Sequence, residues 1–454
     1  MKEFSVGNEM HSLMRELFPL CRSLTGDGVL ETLRILQGHL PLKIERVASG
    51  TKAWDWIVPD EWNITDAFIK DQSGNRVVDF MESNLHVMGY SVPFSGKLTK
   101  SELSNHIHTL PNRPDAIPYV TSYYNRNWGF CVSHAKWHAM PEGEYQVEIK
   151  SSLKPGFLNY GELVIRGESS EEILLSTNIC HPSLANNELS GPIVTTFLAK
   201  NLMQQKNYYT YRIVYVPETI GAIVYLSRHF ELMKAKTKAG YVVTCIGDGG
   251  PFSYLASRSG DCLTDRMTKH CLNAMKLPYI LYDYCERGSD ERQYGAPNVD
   301  LPIGSLMRTK YGKYDEYHSS DDNLELVTAE NLEQSLWAYE GCLSGLEANA
   351  TYQMTIKGEP QLGRRGLYPK QCDQSSIEQL TGTDDVALFN HLIGFCDGQR
   401  DLLHIAERVG VPILKLANAA KRLEKEGLLK KIGGASDGPK ILQRDRASAQ
   451  KRAI

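Results

Sequence analysis

Between Glu9 and about Leu40, apolar residues recur every three or four positions, a helical period broken once by the Gly26-Asp27-Gly28 turn. The period is lost from Ile44 to about Ile149, where Trp, Val, Pro, aromatic residues and Gly-Asn turns crowd together as in short strands. This stretch, 45–150, reads as an inserted β-rich domain of ordinary size. From Gly161 a third pattern begins. Short apolar runs at 162–167, 171–180, 211–219, 240–248 and 301–308 read as strands, while 191–204, 222–233 and 265–277 carry helical spacing. Strands alternating with helices of that length predict an α/β fold, a mostly parallel mixed sheet flanked by helices. That unit is assigned to residues 1–44 and 151–360.

After about Val386, two short helices around Val409-Gly410-Val411 and a longer one ending at Glu426-Gly427 predict a winged-helix domain, assigned to 375–454. Its candidate recognition helix balances Lys and Arg against Glu and offers few side chains suited to reading bases. The tail carries Lys440, Arg444, Arg446, Lys451 and Arg452. Nucleic acid therefore stays as an alternative, but a protein partner or a homo-oligomer contact is the favoured role for this module.

Length and composition narrow the setting. At 454 residues the chain is too long for a single core. A formal net charge of -4 gives no overall basic field. No run of about 18 apolar residues occurs, so no membrane-spanning helix is expected. The N-terminus lacks the apolar core and cleavage site of a signal peptide, and the ten cysteines lack a repeated spacing. Reduced thiols in a cytoplasmic protein are expected.

In parallel α/β sheets, chemistry collects at the carboxyl ends of the strands. The loop after one apolar run holds His181, Asn186, Asn187 and Glu188; Glu218 and Asp248 end two others; His318 lies in an acidic turn with Asp315, Glu316, Asp321 and Asp322. Each has an ordinary explanation when taken singly. A strand-end His is often a structural hydrogen-bonding group, a Glu favours the first turn of a helix, and an Asp between glycines makes a turn. Together they supply the imidazoles and carboxylates of a catalytic zinc site, with an unligated Glu as general base.

The order His181, Asn-Asn-Glu-Leu-Ser-Gly at 186–191, Glu218, Asp248 and His318 resembles that of the co-catalytic zinc aminopeptidases, whose relatives include glutaminyl cyclases. The strings Arg-Gly-Ser-Asp at 287–290 and Glu-Tyr-His-Ser-Ser-Asp-Asp at 316–322 are similar to that group's late loops. Over nearly its whole length the chain further resembles a bacterial subfamily of aminopeptidase-like proteins. These share the inserted β domain, the Cys-His-Pro-Ser and Pro-Glu-Thr-Ile-Gly strings and the C-terminal winged helix. Some are encoded near polysaccharide biosynthesis genes.

The resemblance implies a zinc-dependent hydrolase that cleaves an amide or peptide bond in a small peptide or amino-sugar conjugate. It also exposes departures. Asn187 stands where the peptidases place a bridging Asp, Asn178 where they show a His, and Thr219 where a second Glu is usual. An amide brings no charge to hold two dications, so one zinc is expected and two are the alternative. The expected ligands are His181, Glu188 and His318, with Asp248 as a fourth ligand or an orienting group and Glu218 as general base. Arg287, Asp290, Arg308 and Asn187 are expected at the substrate. His106, His108, Tyr123, Tyr124 and Trp128 either roof the site or form the inserted domain's own core. Two other readings stand beside the hydrolase: a pseudo-enzyme that binds a ligand or partner without turnover, and a DNA-binding regulator with a peptidase-like sensor domain.

Overall fold

The runs at 171–180, 211–219 and 240–248 keep apolar residues at successive positions because the strands they form are covered on both faces. In the computed structural model, which describes residues 5–367 and 385–434, Thr210–Val216, Glu172–Asn178 and Thr237–Val243 are the central parallel strands of an eight-stranded mixed sheet. Successive side chains go to opposite layers, as the pleat requires. Ile173, Leu175, Ile213, Tyr215, Tyr241 and Val243 join one core, and Leu174, Val214, Val216 and Val242 join the other. Helices Ser5–Leu17, Ser190–Met203, Leu263–Ala274 and Ala329–Ala348 pack on the first face. Helix Ile220–Lys236 packs on the second.

Lys43–Ala48 and Phe157–Ile165 extend the sheet antiparallel on one side. On the other side Ile303–Met307 continues it in parallel, followed by Phe252–Leu255 and the edge strand Tyr279–Tyr282. At the amino ends of the central strands, Arg212 is buried against two carboxylates. It donates from Nε and Nη2 to Glu172 at 2.6 and 2.9 Å, and from Nη1 to Glu162 and the Tyr225 hydroxyl.

The inserted stretch forms a four-stranded antiparallel sheet in the order Arg76–Asp79, Glu61–Lys70, Glu144–Lys154, Phe94–Thr99. Its core includes Ile69, Val78, Trp128, Phe130, Val147 and Ile149.

The winged helix has helices Asp385–Phe395, Leu402–Val409 and Ile413–Lys425. Its antiparallel sheet runs Asp397–Asp401, Ala350–Met354, Leu429–Gly434. The central strand thus comes from 350–354, a stretch that sequence pattern placed in the larger unit because five residues after a 20-residue helix carry no signal of their own. Gly410, in the left-handed region at φ 69°, lets the chain turn between the second and third helices. The module packs on the α/β unit, sharing its first core. His270 Nε2 accepts the Ile413 N–H at 3.0 Å, Arg266 pairs with Glu407, and Asn349 Oδ1 accepts the Leu403 N–H. The basic tail residues Lys440 to Arg452 lie outside the described residues. Among those described, no helix is long and apolar enough to cross a membrane.

Candidate active site

The loop after Glu172–Asn178 folds back on itself through Glu188. One carboxylate oxygen of Glu188 accepts the backbone N–H groups of Cys180 and His181, the latter at 2.8 Å. The other lies 2.6 Å from His181 Nδ1. Cys180, His181 and Glu188 have ligand-type atoms within 4.8 Å of one another, but they make a poor ligand set as they stand. Glu188 already meets two backbone N–H groups and the His181 ring, and burial pushes the Cys180 thiol up to about 12. The triplet instead fixes the His181 ring with Nδ1 inward and Nε2 outward. Behind it, Arg22 is buried and donates to His181 O at 2.9 Å and Leu17 O at 2.7 Å. Burial holds its guanidinium below the usual range, and the charge on Glu188 works the other way.

His181 Nε2 lies 3.7 Å from Glu218 Oε2. Glu218 sits on a tight elbow between Thr210–Val216 and helix Ile220–Lys236. The Ile220 N–H donates to Glu218 O at 2.8 Å, and Thr219 has φ 64° and ψ -79°. This is the rare positive-φ γ-turn, a strained form for a β-branched residue. Asp290 holds the elbow by accepting the Thr219 N–H at 2.7 Å, and Arg292 donates to Thr219 Oγ1 at 3.1 Å. Ser289 donates to Glu218 Oε1 at 2.7 Å and accepts from Asn178 Nδ2 at 3.1 Å. Burial raises the Glu218 carboxyl, with His181 acting in the opposite sense.

His318 completes the centre. Its ring centre is 5.3 Å from that of His181 and 3.9 Å from Tyr317, on which it stacks. Its Nε2 is buried without a hydrogen-bond partner. Burial, with His181 nearby, pushes its pKa down to about 3, so the imidazole is neutral. Asn178 Oδ1, Asn187 Oδ1, Asp290 Oδ2 and Glu291 Oε2 are likewise buried and unpartnered. So many bare acceptors on neighbouring loops ask for a cation or a donor. Backbone strain gathers here too: Ser183, Thr219, Cys245 and His318 all have positive φ.

The other expected residues fall in three places. Asp290 lies beside Glu218, as above. Asn187 is buried in the same loop, its N–H donating to Asp322 at 2.9 Å and its Nδ2 lying 3.7 Å from Cys245 Sγ. Asp322 also accepts the Asn186 N–H and the Tyr314 hydroxyl. Asp248 and Arg308 form a separate network. Asp248 accepts from Asn186 Nδ2 at 2.8 Å, Gly250 N at 2.7 Å and Thr309 Oγ1 at 3.0 Å. Arg308 donates to Gly250 O, Gln334 Oε1 and Ser335 Oγ over the Phe252 ring. Both are engaged in holding loops together. Arg287 is exposed over Tyr284. Of the inserted-domain candidates, Trp128 is core, with His106 stacked on it at 3.7 Å. Tyr123 interacts electrostatically with His181 and Glu218, and a further residue that reaches the centre is one that sequence reasoning missed. Tyr119 lies 4.8 Å from the His181 ring and 5.1 Å from the His318 ring.

A family model described as a domain of unknown function (DUF4910) matches residues 11–349, and a winged helix-turn-helix model matches 350–431. A Clostridium acetobutylicum protein named "Putative polysaccharide biosynthesis protein with aminopeptidase-like domain" is 44% identical over 427 residues, 94% of this chain and 97% of its own. The crystal structure of a "putative peptidase" from Clostridium acetobutylicum is 42% identical, with a TM-score of 0.88 over 94% of this chain and 97% of that one. The zinc aminopeptidase BSAP of Bacillus subtilis is 10% identical, with a TM-score of 0.55 over 74% of this chain and 94% of that one. At that identity the likeness is one of fold, and the fold is the aminopeptidase-like one that the sequence order predicts.

Proposed function

The chain belongs to the DUF4910 family, and we propose that it is a zinc-dependent hydrolase of the aminopeptidase type, cleaving an amide or peptide bond in a small peptide or amino-sugar conjugate. The amino-sugar arm draws on the polysaccharide biosynthesis named for its relative. One observation carries the reading. His318 Nε2 is buried and bare, and the His318 and His181 ring centres are 5.3 Å apart. Two imidazoles sharing a tetrahedral zinc, with bonds of about 2.0–2.1 Å, have ring centres about 5 Å apart.

The residues present therefore fit the metal. His181 and His318 would hold it through Nε2, and the bare oxygens of Asn187 and Asp290 lie on the loops that would complete the donor set. Glu188, expected as a ligand, is read instead as the carboxylate that orients His181, the usual partner of a metal-binding imidazole. Asp248 is read as a holder of the Asn186 loop rather than a ligand. With an amide at position 187, one zinc remains the expected number. Bound there, zinc would polarise the scissile carbonyl and acidify water. Glu218 accepts a proton at Oε2 and returns it to the leaving nitrogen, while Ser289 fixes its other oxygen. Tyr119 closes the imidazole pair from the side of the inserted domain.

The test is Glu218→Gln. It should keep its zinc and lose about 10²–10⁴-fold in amide turnover. Retained turnover would contradict the role of Glu218, and loss of zinc would make it a ligand instead. The pseudo-enzyme reading rests on Asn187, and zinc-loaded wild type without turnover on any amide would favour it.

A further inference from the structure

We propose that the inserted domain supplies a saccharide-binding wall, running outward from the imidazole pair along Tyr119, Tyr123, Tyr124 and Trp56. The proposal rests on the hydrolase reading and names its substrate class. Tyr119 packs against the His181 and His318 rings, 4.8 and 5.1 Å between ring centres, and Tyr123 follows four residues later. Tyr123 is 38% exposed and Tyr124 48% exposed, and Tyr124 meets the edge of Trp56 at 5.7 Å. On the same hairpin as Trp56, Trp54 is 43% exposed against Phe230 at 5.8 Å. Tyr119 and Trp56 are thus half-buried, and Tyr123 and Tyr124 between them are exposed.

The wall is built to stay in place. The 117–122 segment is bonded to the loop that carries His318, through Tyr119 N–H to His318 O and Ser320 N–H to Ile117 O, both at 2.8 Å. On its other side Gly89 N–H donates to Val120 O and Ser122 N–H to Gly89 O, both at 2.9 Å. Arg113 pairs with Asp321 across the same junction. Tyr123 and Trp54 hold positive φ values of 47° and 55°, strain that packing must sustain.

The chemistry of the wall selects its occupant. Aromatic faces edged with neutral phenol hydroxyls match a pyranose, which has an apolar C–H face and a rim of hydroxyls. A peptide's C-terminal carboxylate would look for an unpaired cation. Arg126, the cation of the wall's own loop, lies 3.9 Å from Asp60. The sugar ring would stack on Tyr124 and Trp56, with the bond to be cut at Glu218.

The experiment is a tryptophan-fluorescence titration of the zinc-loaded full chain with chitotriose and, separately, with trialanine. Wild type, Tyr124→Ala and Trp56→Ala are compared, and zinc content and circular dichroism are recorded for each. Chitotriose should bind wild type and bind both variants at least tenfold more weakly, with zinc and fold unchanged and trialanine unaffected. Tyr124 is exposed enough that its variant should fold even if Trp56→Ala does not. Equal chitotriose affinity in wild type and Tyr124→Ala would overturn the proposal. So would trialanine weakening in place of chitotriose, or no chitotriose binding at millimolar concentration. A wild type without zinc or amide turnover would instead count against the hydrolase, and the sugar titration would still read the wall.

Discussion

Arg22 shows how far the centre depends on a residue with no part in the chemistry. It is fully buried, touches the backbone of His181, and is the positive charge set against Glu188. Arg22→Met should lower unfolding free energy by about 1–3 kcal/mol, because it leaves the His181 and Leu17 carbonyls without their buried donor. A change under about 0.5 kcal/mol in chemical denaturation would show that these carbonyls do not need it. Glu188→Gln tests the orienting role. Zinc affinity should fall about 10–100-fold, with the metal still bound at high concentration, as for other partners of a ligating His. Complete loss of zinc would restore Glu188 to the ligands. His181, Glu218 and His318 were legible in the sequence because each ends an apolar run or breaks an acidic turn. The contacts of Glu188 were not, since chain order does not say which oxygen meets which N–H. Arg22 and Tyr119 were hidden: one is a single charge at the end of a helical pattern, the other one aromatic among many.

The central strands were easy to read for a physical reason. A strand buried on both faces is a continuous apolar run, and its neighbouring helices keep their own period. Phe252–Leu255, Tyr279–Tyr282 and Ala350–Met354 were not, being four or five residues long and placed by tertiary pairing alone. Between the buried strands, Arg212 bridges Glu172 and Glu162 where the apolar pattern would call for Val or Ile. Arg212→Met should cost about 3–5 kcal/mol by leaving two carboxylates without a cation. Replacing all three groups with apolar residues of matching volume should cost much less. A single variant no less stable than the triple one would show that the bridge does not hold these strands.

At the scale of the whole molecule, the winged helix packs on the α/β unit with the amino end of helix Ile413–Lys425 against His270. In helix-turn-helix proteins that end of the recognition helix meets the bases. Duplex DNA should therefore bind no more tightly than about 10⁻⁴ M at 150 mM salt, the weak end of non-specific binding. A tighter complex in fluorescence anisotropy, lost on removing residues after Thr381, would revive the regulator. The sheet, the inserted domain and the winged helix all follow from the hydrophobic pattern. Their mutual contacts do not, because docking depends on which few surface residues meet, such as Tyr119 with the His318 loop or Arg266 with Glu407.

The most direct measurement is metal content by mass spectrometry on full-length protein purified without chelator or affinity metal, for wild type, His181→Ala and Glu218→Gln. About one zinc per chain is expected in wild type and Glu218→Gln, and essentially none in His181→Ala. A folded wild type without zinc would contradict the account at its centre.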